Sequence, residues 1–438
     1  MMKRFIGIFA WVVFCGSIQT ARGGPYSAVM NDPGNGYDAP VPGFVGPHGI
    51  GKARLLTGVD ANGDPVFQNP NNLVNPIFFG WATEASDYYR ADAGSPFSDP
   101  ALALGEVTGD NFDIVSLGDL SAAQITAGAP PGSITLQLAQ PIRNLSGADF
   151  VIFENGLVSQ SNQGGAGAGG LLAELAYVEV SANGTDFIRF PATSLTPSAV
   201  GSYGSLNPTN IYNLAGKHTN AYGNSWGTPF DLAQVGLQQI THVRLVDIPG
   251  SGAFHDQAGR PIYDAWLTFG SGGFDLEAVG SISTLMTFAA WPALQKLNPA
   301  QRGEADDPDG DGLPNLLEYA CARVPWLADS AGATPVCRTI TDAGNIYPQL
   351  SFVRDERLTD LTYEVQVSEN MATGTWTTIA SSTAGNPTLA AVGHFPVVTE
   401  ATGSQITGIG VIRAVTVRDA QPVSANARRL FRVKISHP

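Results

Sequence analysis

Hydrophobic and polar positions alternate in short bursts along this chain, and the bursts are cut by Gly, Pro, Asn and Asp. Ile134-Thr-Leu-Gln-Leu138, Phe150-Val-Ile-Phe153, Ala176-Tyr-Val-Glu-Val180, Ile240-Thr-His-Val-Arg-Leu-Val246, Ala265-Trp-Leu-Thr-Phe269 and Phe274-Asp-Leu-Glu-Ala-Val279 each mix β-branched, aliphatic and aromatic residues. Runs this short, bounded by turn residues, predict strands. A second set follows: Gln349–Val353, Thr362–Val367, Thr375–Ile379, Val411–Val417 and Leu430–Ile435. Within it, Tyr363-Glu-Val-Gln-Val367 alternates as a half-buried strand does. No repeat of propeller or solenoid length is visible. The pattern therefore predicts a mainly β chain: a large jelly-roll-like β-sandwich over residues 24–282, a helix and loop linker over 283–338, and a smaller β-sandwich over 339–438.

The linker breaks the pattern. Phe288, Trp291 and Leu294 are spaced as on one face of a short helix. Then comes Asp307-Pro-Asp309-Gly-Asp311-Gly312-Leu313-Pro-Asn315-Leu-Leu-Glu318, an EF-hand-like spacing. Asp307, Asp309 and Asp311 offer side-chain oxygens at the first, third and fifth loop positions, and Gly312 allows the sharp turn. The Leu313 carbonyl, Asn315 and a bidentate Glu318 complete an all-oxygen set, which suits Ca2+ and not a transition metal. Leu316, Leu317 and Tyr319 begin an exiting helix that Val324-Pro325 ends. A lone loop with short helices reads as a structural clip of the dockerin or thrombospondin type. A calcium sensor would need a paired hand and a groove to expose.

Composition sharpens this picture. Charged residues make up 14% of the chain, against 51 Gly and 30 Pro, which favours strands and turns over long helices. A net charge of −15 argues against nucleic acid as a partner, because phosphate binding needs clustered Lys and Arg. Lys3-Arg4, an apolar run to Phe14 and Ala21-Arg22-Gly23 have the form of a signal peptide over residues 1–23, so secretion or cell-surface display is expected. No later segment is long and apolar enough to be a transmembrane helix. In an oxidising compartment the remaining cysteines, Cys321 and Cys337, are expected to form a disulfide worth about 3 kcal/mol.

Candidate chemistry is thinner. Gly223-Asn-Ser225-Trp-Gly227 matches a nucleophile elbow, yet a poor strand precedes it and Thr228-Pro229 follows, so it reads as a turn. Gly165-Ala-Gly-Ala-Gly-Gly170 lacks a surrounding Rossmann unit and reads as a loop. Lys217, His218, Asn220, Tyr222, Asn224 and Trp226 combine polar donors with flat aromatic faces, as a glycan cleft does. The same residues could instead form a hydrogen-bond network that stabilises a loop. Glu154, Glu174, Asp247, Asp256, Asp264, Asp275 and Glu277 could cap turns, hold a second calcium ion or serve a hydrolase.

Asp149–Gly156, Ala173–Phe187, Asn213–Gly227 and Ile262–Glu277 resemble a family of bacterial secreted or cell-surface proteins, over most of residues 40–282. The Trp291 helix, Asn315–Ala320 and the last β module resemble the C-terminal parts of exported bacterial surface proteins. That resemblance implies location and architecture. The reading is an exported, non-catalytic, calcium-stabilised protein that binds a glycan or another envelope ligand. Its alternatives are a secreted glycoside or ester hydrolase using the carboxylates or Ser225, and a purely structural envelope component.

Overall fold

The computed structural model describes residues 26, 38–92, 96–159, 170–329, 331, 335–370, 374–403, 410–423 and 428–438. The expected signal peptide and all of the Gly165–Gly170 loop except Gly170 lie outside them. The chain is mainly β, as its periodicity predicts. Ten strands build the main sheet of the first module, beside several two-stranded pairings: β1 (Val41–Pro42), β2 (Gly80–Tyr89), β3 (Val115–Ser116), β4 (Ser133–Arg143), β5 (Phe150–Glu154), β6 (Leu175–Ser181), β7 (Ile188–Arg189), β8 (Trp226–Phe230), β9 (Gln239–Ile248) and β10 (Asp275–Ser281). They form one curled antiparallel sheet in the order β1-β8-β5-β10-β2-β4-β9-β6-β7, with β3 added beside β10. β2 turns the corner: its first residues pair with Ser281 and Gly280 of β10, and after an irregularity at Ala82 it pairs with β4. Such a bulge bends the strand and lets the sheet fold onto itself.

The two halves enclose one core. Phe150, Ile152, Phe230, Leu276 and Val279 from one half meet Ile134, Leu136, Val178, Val243 and Leu245 from the other. Phe150 stacks on Phe230 at a centroid distance of 5.4 Å, and Phe190 meets Phe230 edge-on at 5.1 Å. Every residue of β5, β6, β8 and β10 is buried, which accounts for the continuous apolar run Phe150–Phe153 of β5. Ala265–Phe269, expected as a strand, is a loop. Its backbone donors go to scattered acceptors: Ala265 to Ala173 O, Trp266 to Gly201 O and Thr268 to the Asp119 carboxylate. No single neighbouring strand receives them, so no ladder forms.

The C-terminal module has two four-stranded sheets. One is built from β11 (Val336–Asp342), β12 (Asn345–Asp355), β16 (Val397–Thr402) and β17 (Ile412–Arg418). The other contains β13 (Thr362–Ser368), β14 (Thr377–Thr383), β15 (Leu389–Ala390) and β18 (Leu430–Ser436). Leu350, Phe352, Val415 and Val417 face Tyr363, Val365, Val367 and Ile379 across the core. The linker joins this core. Met286, Phe288, Trp291 and Tyr319 pack into it, and the Trp291 and Tyr319 rings lie 5.4 Å apart. The linker helices are short, Trp291–Leu294 and Asn315–Ala320. Cys321 and Cys337, expected to be bridged, are free thiols. Cys321 ends the second linker helix against the core, while Cys337 is exposed on the edge strand β11, opposite Leu350 of β12. Their even number therefore gives no bridge in this arrangement. No described helix is long and apolar enough to cross a membrane.

Candidate functional site

The acidic loop closes around a point. Gly310 and Gly312 take φ values of 75° and 92°, a left-handed backbone that side chains resist. Asp307 then accepts from Gly310 N at 2.9 Å and Gly312 N at 3.0 Å. Asp309 accepts from Asp311 N at 3.1 Å, and Asp311 from Leu313 N at 2.9 Å. These bonds hold one oxygen from each of Asp307, Asp309 and Asp311 within 4.8 Å of one another, the only such trio of potential metal ligands among the described residues.

The far side of the loop supplies oxygens that nothing satisfies. Glu318 is fully buried, and neither of its carboxylate oxygens has a hydrogen-bond partner. Burial, followed by Asp309, Asp311, Asp329 and Asp307, pushes its carboxyl up to about 8. Asn315 spends its amide group on Gln301 O and Gly303 O, both at 2.9 Å, which leaves its buried Oδ1 unpartnered. Asp309 Oδ2 and Asp329 Oδ1 are likewise buried and unpartnered. Orphaned buried oxygens cost free energy unless something satisfies them. A convergent all-oxygen set suits a hard divalent cation. Asp329 escaped the sequence reading. It lies beyond the loop, and only the return of the chain brings its amide to Asp311 Oδ2, at 3.0 Å.

A groove of about 490 Å³ runs beside this loop, between the first sandwich and the linker. Phe78, Trp81 and Trp326 give it aromatic walls, Asn75, Gln295 and Gln301 give it amides, and Asp309 reaches its edge. Lys296 and Glu106, which also line it, form an ion pair that joins linker to sandwich. Nothing in the spacing of these residues foretold their meeting.

The segment expected to form a ligand cleft folds inward instead. Lys217 is buried, paired with Asp38, and donates to Ile211 O at 2.8 Å. Burial, opposed by Asp38, brings its ammonium down to about 8. His218 Nε2 contacts Asp38 O at 3.0 Å, and Asn220 donates to Glu277. Glu277 also accepts from Thr108 N at 2.8 Å and Gly109 N at 2.6 Å. Trp226 opens β8 and packs against Gly51, while Asn224 accepts from Lys52 at 3.0 Å. Tyr222 alone of the six projects well into solvent, at 70% exposure. The group is a structural network linking residues 38–52, 108–109 and 277.

The hydrolase candidates are enclosed. Ser225 is fully buried against Gly43 at the start of β8, so a strand follows it where a nucleophile elbow needs a helix. Glu154 and Asp264 are buried too, and neither lines the groove. Asp60 closes a turn by accepting from Asn62 N and Asp64 N. No family model and no curated protein matches the chain.

Proposed function

We propose that the chain is an exported bacterial surface or extracellular protein without catalytic activity, in which calcium fixes the junction between two β-sandwiches and the adjoining groove binds a glycan. The Glu318 carboxylate carries the calcium part of this reading. A fully buried acid with two unpartnered oxygens, set against three aspartates, is hard to account for without a cation. Asp307, Asp309, Asp311, Asn315 and Glu318 would hold it, with the Leu313 carbonyl at the seventh position and Asp329 close by. Bound calcium supplies charge neutralisation there. The chain's own part is to bring the loop, the second linker helix and the 323–329 segment to one place.

The groove supports the glycan part. Aromatic faces paired with amide donors and acceptors match a sugar ring, which has apolar faces and a hydroxyl rim. Its place beside Asp309 ties ligand binding to the order of the loop. The signal-like leader supports export, and the enclosure of Ser225, Glu154 and Asp264 favours binding over hydrolysis.

The test uses residues 24–438. Calorimetric titration should find tight calcium binding that Glu318→Gln weakens by at least a factor of 100. On a glycan array in calcium, binding should fall at least tenfold in Trp326→Ala. An array without hits, or hits that Trp326→Ala leaves intact, sinks the groove assignment. Unchanged calcium affinity in Glu318→Gln sinks the loop assignment.

A further inference from the structure

Six acidic side chains gather where strands of the first sandwich end. Glu154 closes β5, Glu174 precedes β6, Asp247 stands next to last in β9 and Asp275 opens β10. Asp119 comes just after β3, and Asp264 comes from the loop between β9 and β10. Antiparallel register brings these ends together, with Asp247 opposite Ala176 and Glu154 opposite Leu276. None of the six is more than 8% exposed.

The turn at Gly273 organises four of them. Gly273 N donates to Glu174 Oε1 at 3.1 Å, and Phe274 N donates to Asp247 Oδ1 at 2.8 Å. The Thr268 hydroxyl bonds both Asp119 Oδ2, at 3.4 Å, and Glu174 Oε1. Asp275 starts the strand that leaves this turn. After these bonds are made, Asp119 Oδ1, Asp247 Oδ2 and Asp275 Oδ1 remain buried with no partner. Glycine keeps the space open: a Cβ on Gly273 would sit 3.0 Å from Asp247 Oδ1, and one on Gly250 would sit 1.7 Å from Asp264 Oδ1.

Charge is out of balance here. Burial raises the Asp247 carboxyl, with Asp119 and Asp275 adding to it, and burial followed by Asp275 raises that of Glu174. Arg90 favours ionisation of Asp275, but it is itself paired with Asp92. Buried carboxylates in such numbers are tolerated when they are neutralised, paired or coordinated to a metal.

We propose that Asp119, Glu174, Asp247 and Asp275, with the Thr268 hydroxyl, form a second calcium site inside the first sandwich. The donors are all oxygens and come from four different chain segments, so the ion would stitch strand ends that have no covalent link. Their oxygens stand wider apart than those of Asp307, Asp309 and Asp311. Binding therefore draws the side chains inward by rotation. Calcium fits better than magnesium, which keeps several waters and demands a strict octahedron. Glu154 and Asp264 flank the site.

Counting metal tests the proposal independently of the loop. The full chain is stripped with EDTA, dialysed against calcium, and its calcium measured by plasma mass spectrometry. The parent should hold two equivalents, Glu318→Gln one, Asp247→Asn one, and the double variant none. A cooperatively melting Glu318→Gln chain that holds no calcium overturns the buried site. So does an Asp247→Asn chain that retains its full complement.

If Asp247→Asn fails to fold, terbium decides in the Glu318→Gln background. Trp266 donates its indole N–H to Leu120 O at 2.9 Å, beside Asp119, and should sensitise emission from an ion held there. Trp266→Phe should abolish most of that emission without lowering the metal count. Undiminished emission places the ion elsewhere and overturns the proposal.

Discussion

Single side chains show most clearly where local spacing misleads. Lys217, His218 and Asn220 have the chemistry of a ligand cleft, and the fold spends it on Asp38, Ile211 O and Glu277. Asp149 serves in the same structural way. Its carboxylate accepts from Leu145 N at 2.9 Å and Leu232 N at 2.8 Å, tying the entry of β5 to the exit of β8. Burial nevertheless pushes its carboxyl from 3.8 up to about 7. Because the folded value is the higher one, the folded chain binds this proton more tightly than the unfolded chain. The resulting stability is fully present below about pH 4 and is lost as pH rises through 7. Asp149→Asn removes that titration, so the stability of the parent relative to the variant should fall between about pH 4 and pH 7 and then level off. Urea unfolding of both proteins across that range measures the difference, and parallel pH profiles would rule the assignment out.

Elements were legible where their burial was uniform or their spacing local. β5 and β6 are buried along their whole length, so their apolar residues announced them. β2 passed unseen because half of its residues, Thr83, Glu84, Asp87 and Tyr89 among them, lie exposed on a bent strand. The Ala265–Phe269 loop has the composition of a strand but gives its amides to side-chain and backbone acceptors on different segments. The acidic loop was readable because Asp307, Asp309, Asp311, Asn315 and Glu318 lie within a dozen residues of one another. Asp329 was not, since its approach to Asp311 depends on the turn after Arg323. This element should respond to metal as a unit. EDTA should increase protease cutting within residues 303–329, and calcium should restore protection. Asp329→Asn should weaken calcium binding by roughly tenfold, in the range expected for groups that orient a metal's ligands. A digestion pattern indifferent to both chelator and variant would dissociate the loop from calcium.

At the scale of the molecule, the question is what holds the two sandwiches together apart from the acidic loop. Arg357, just past β12, answers it. Its guanidinium is buried, pairs with Asp355 at 2.6 Å, and donates across the junction to Ile77 O at 2.6 Å and Ile282 O at 3.0 Å. It also lies 3.5 Å above the Phe79 ring centroid. Glu356, its neighbour, accepts from Ser146 N at 2.7 Å in the first module. A planar fork that serves a carboxylate, two carbonyls and a ring at once cannot be replaced by a single ammonium. Arg357→Ala leaves Asp355 buried and unpaired, which costs roughly 3–5 kcal/mol. Arg357→Lys should recover only part of that loss. Differential scanning calorimetry in calcium should show the parent melting in one transition and Arg357→Ala in two, with the C-terminal module leaving first. If Arg357→Ala melts as one unit at the parental temperature, the sandwiches are not coupled through this side chain. The proposed calcium site would then be the main support of their orientation, and EDTA alone should separate the transitions.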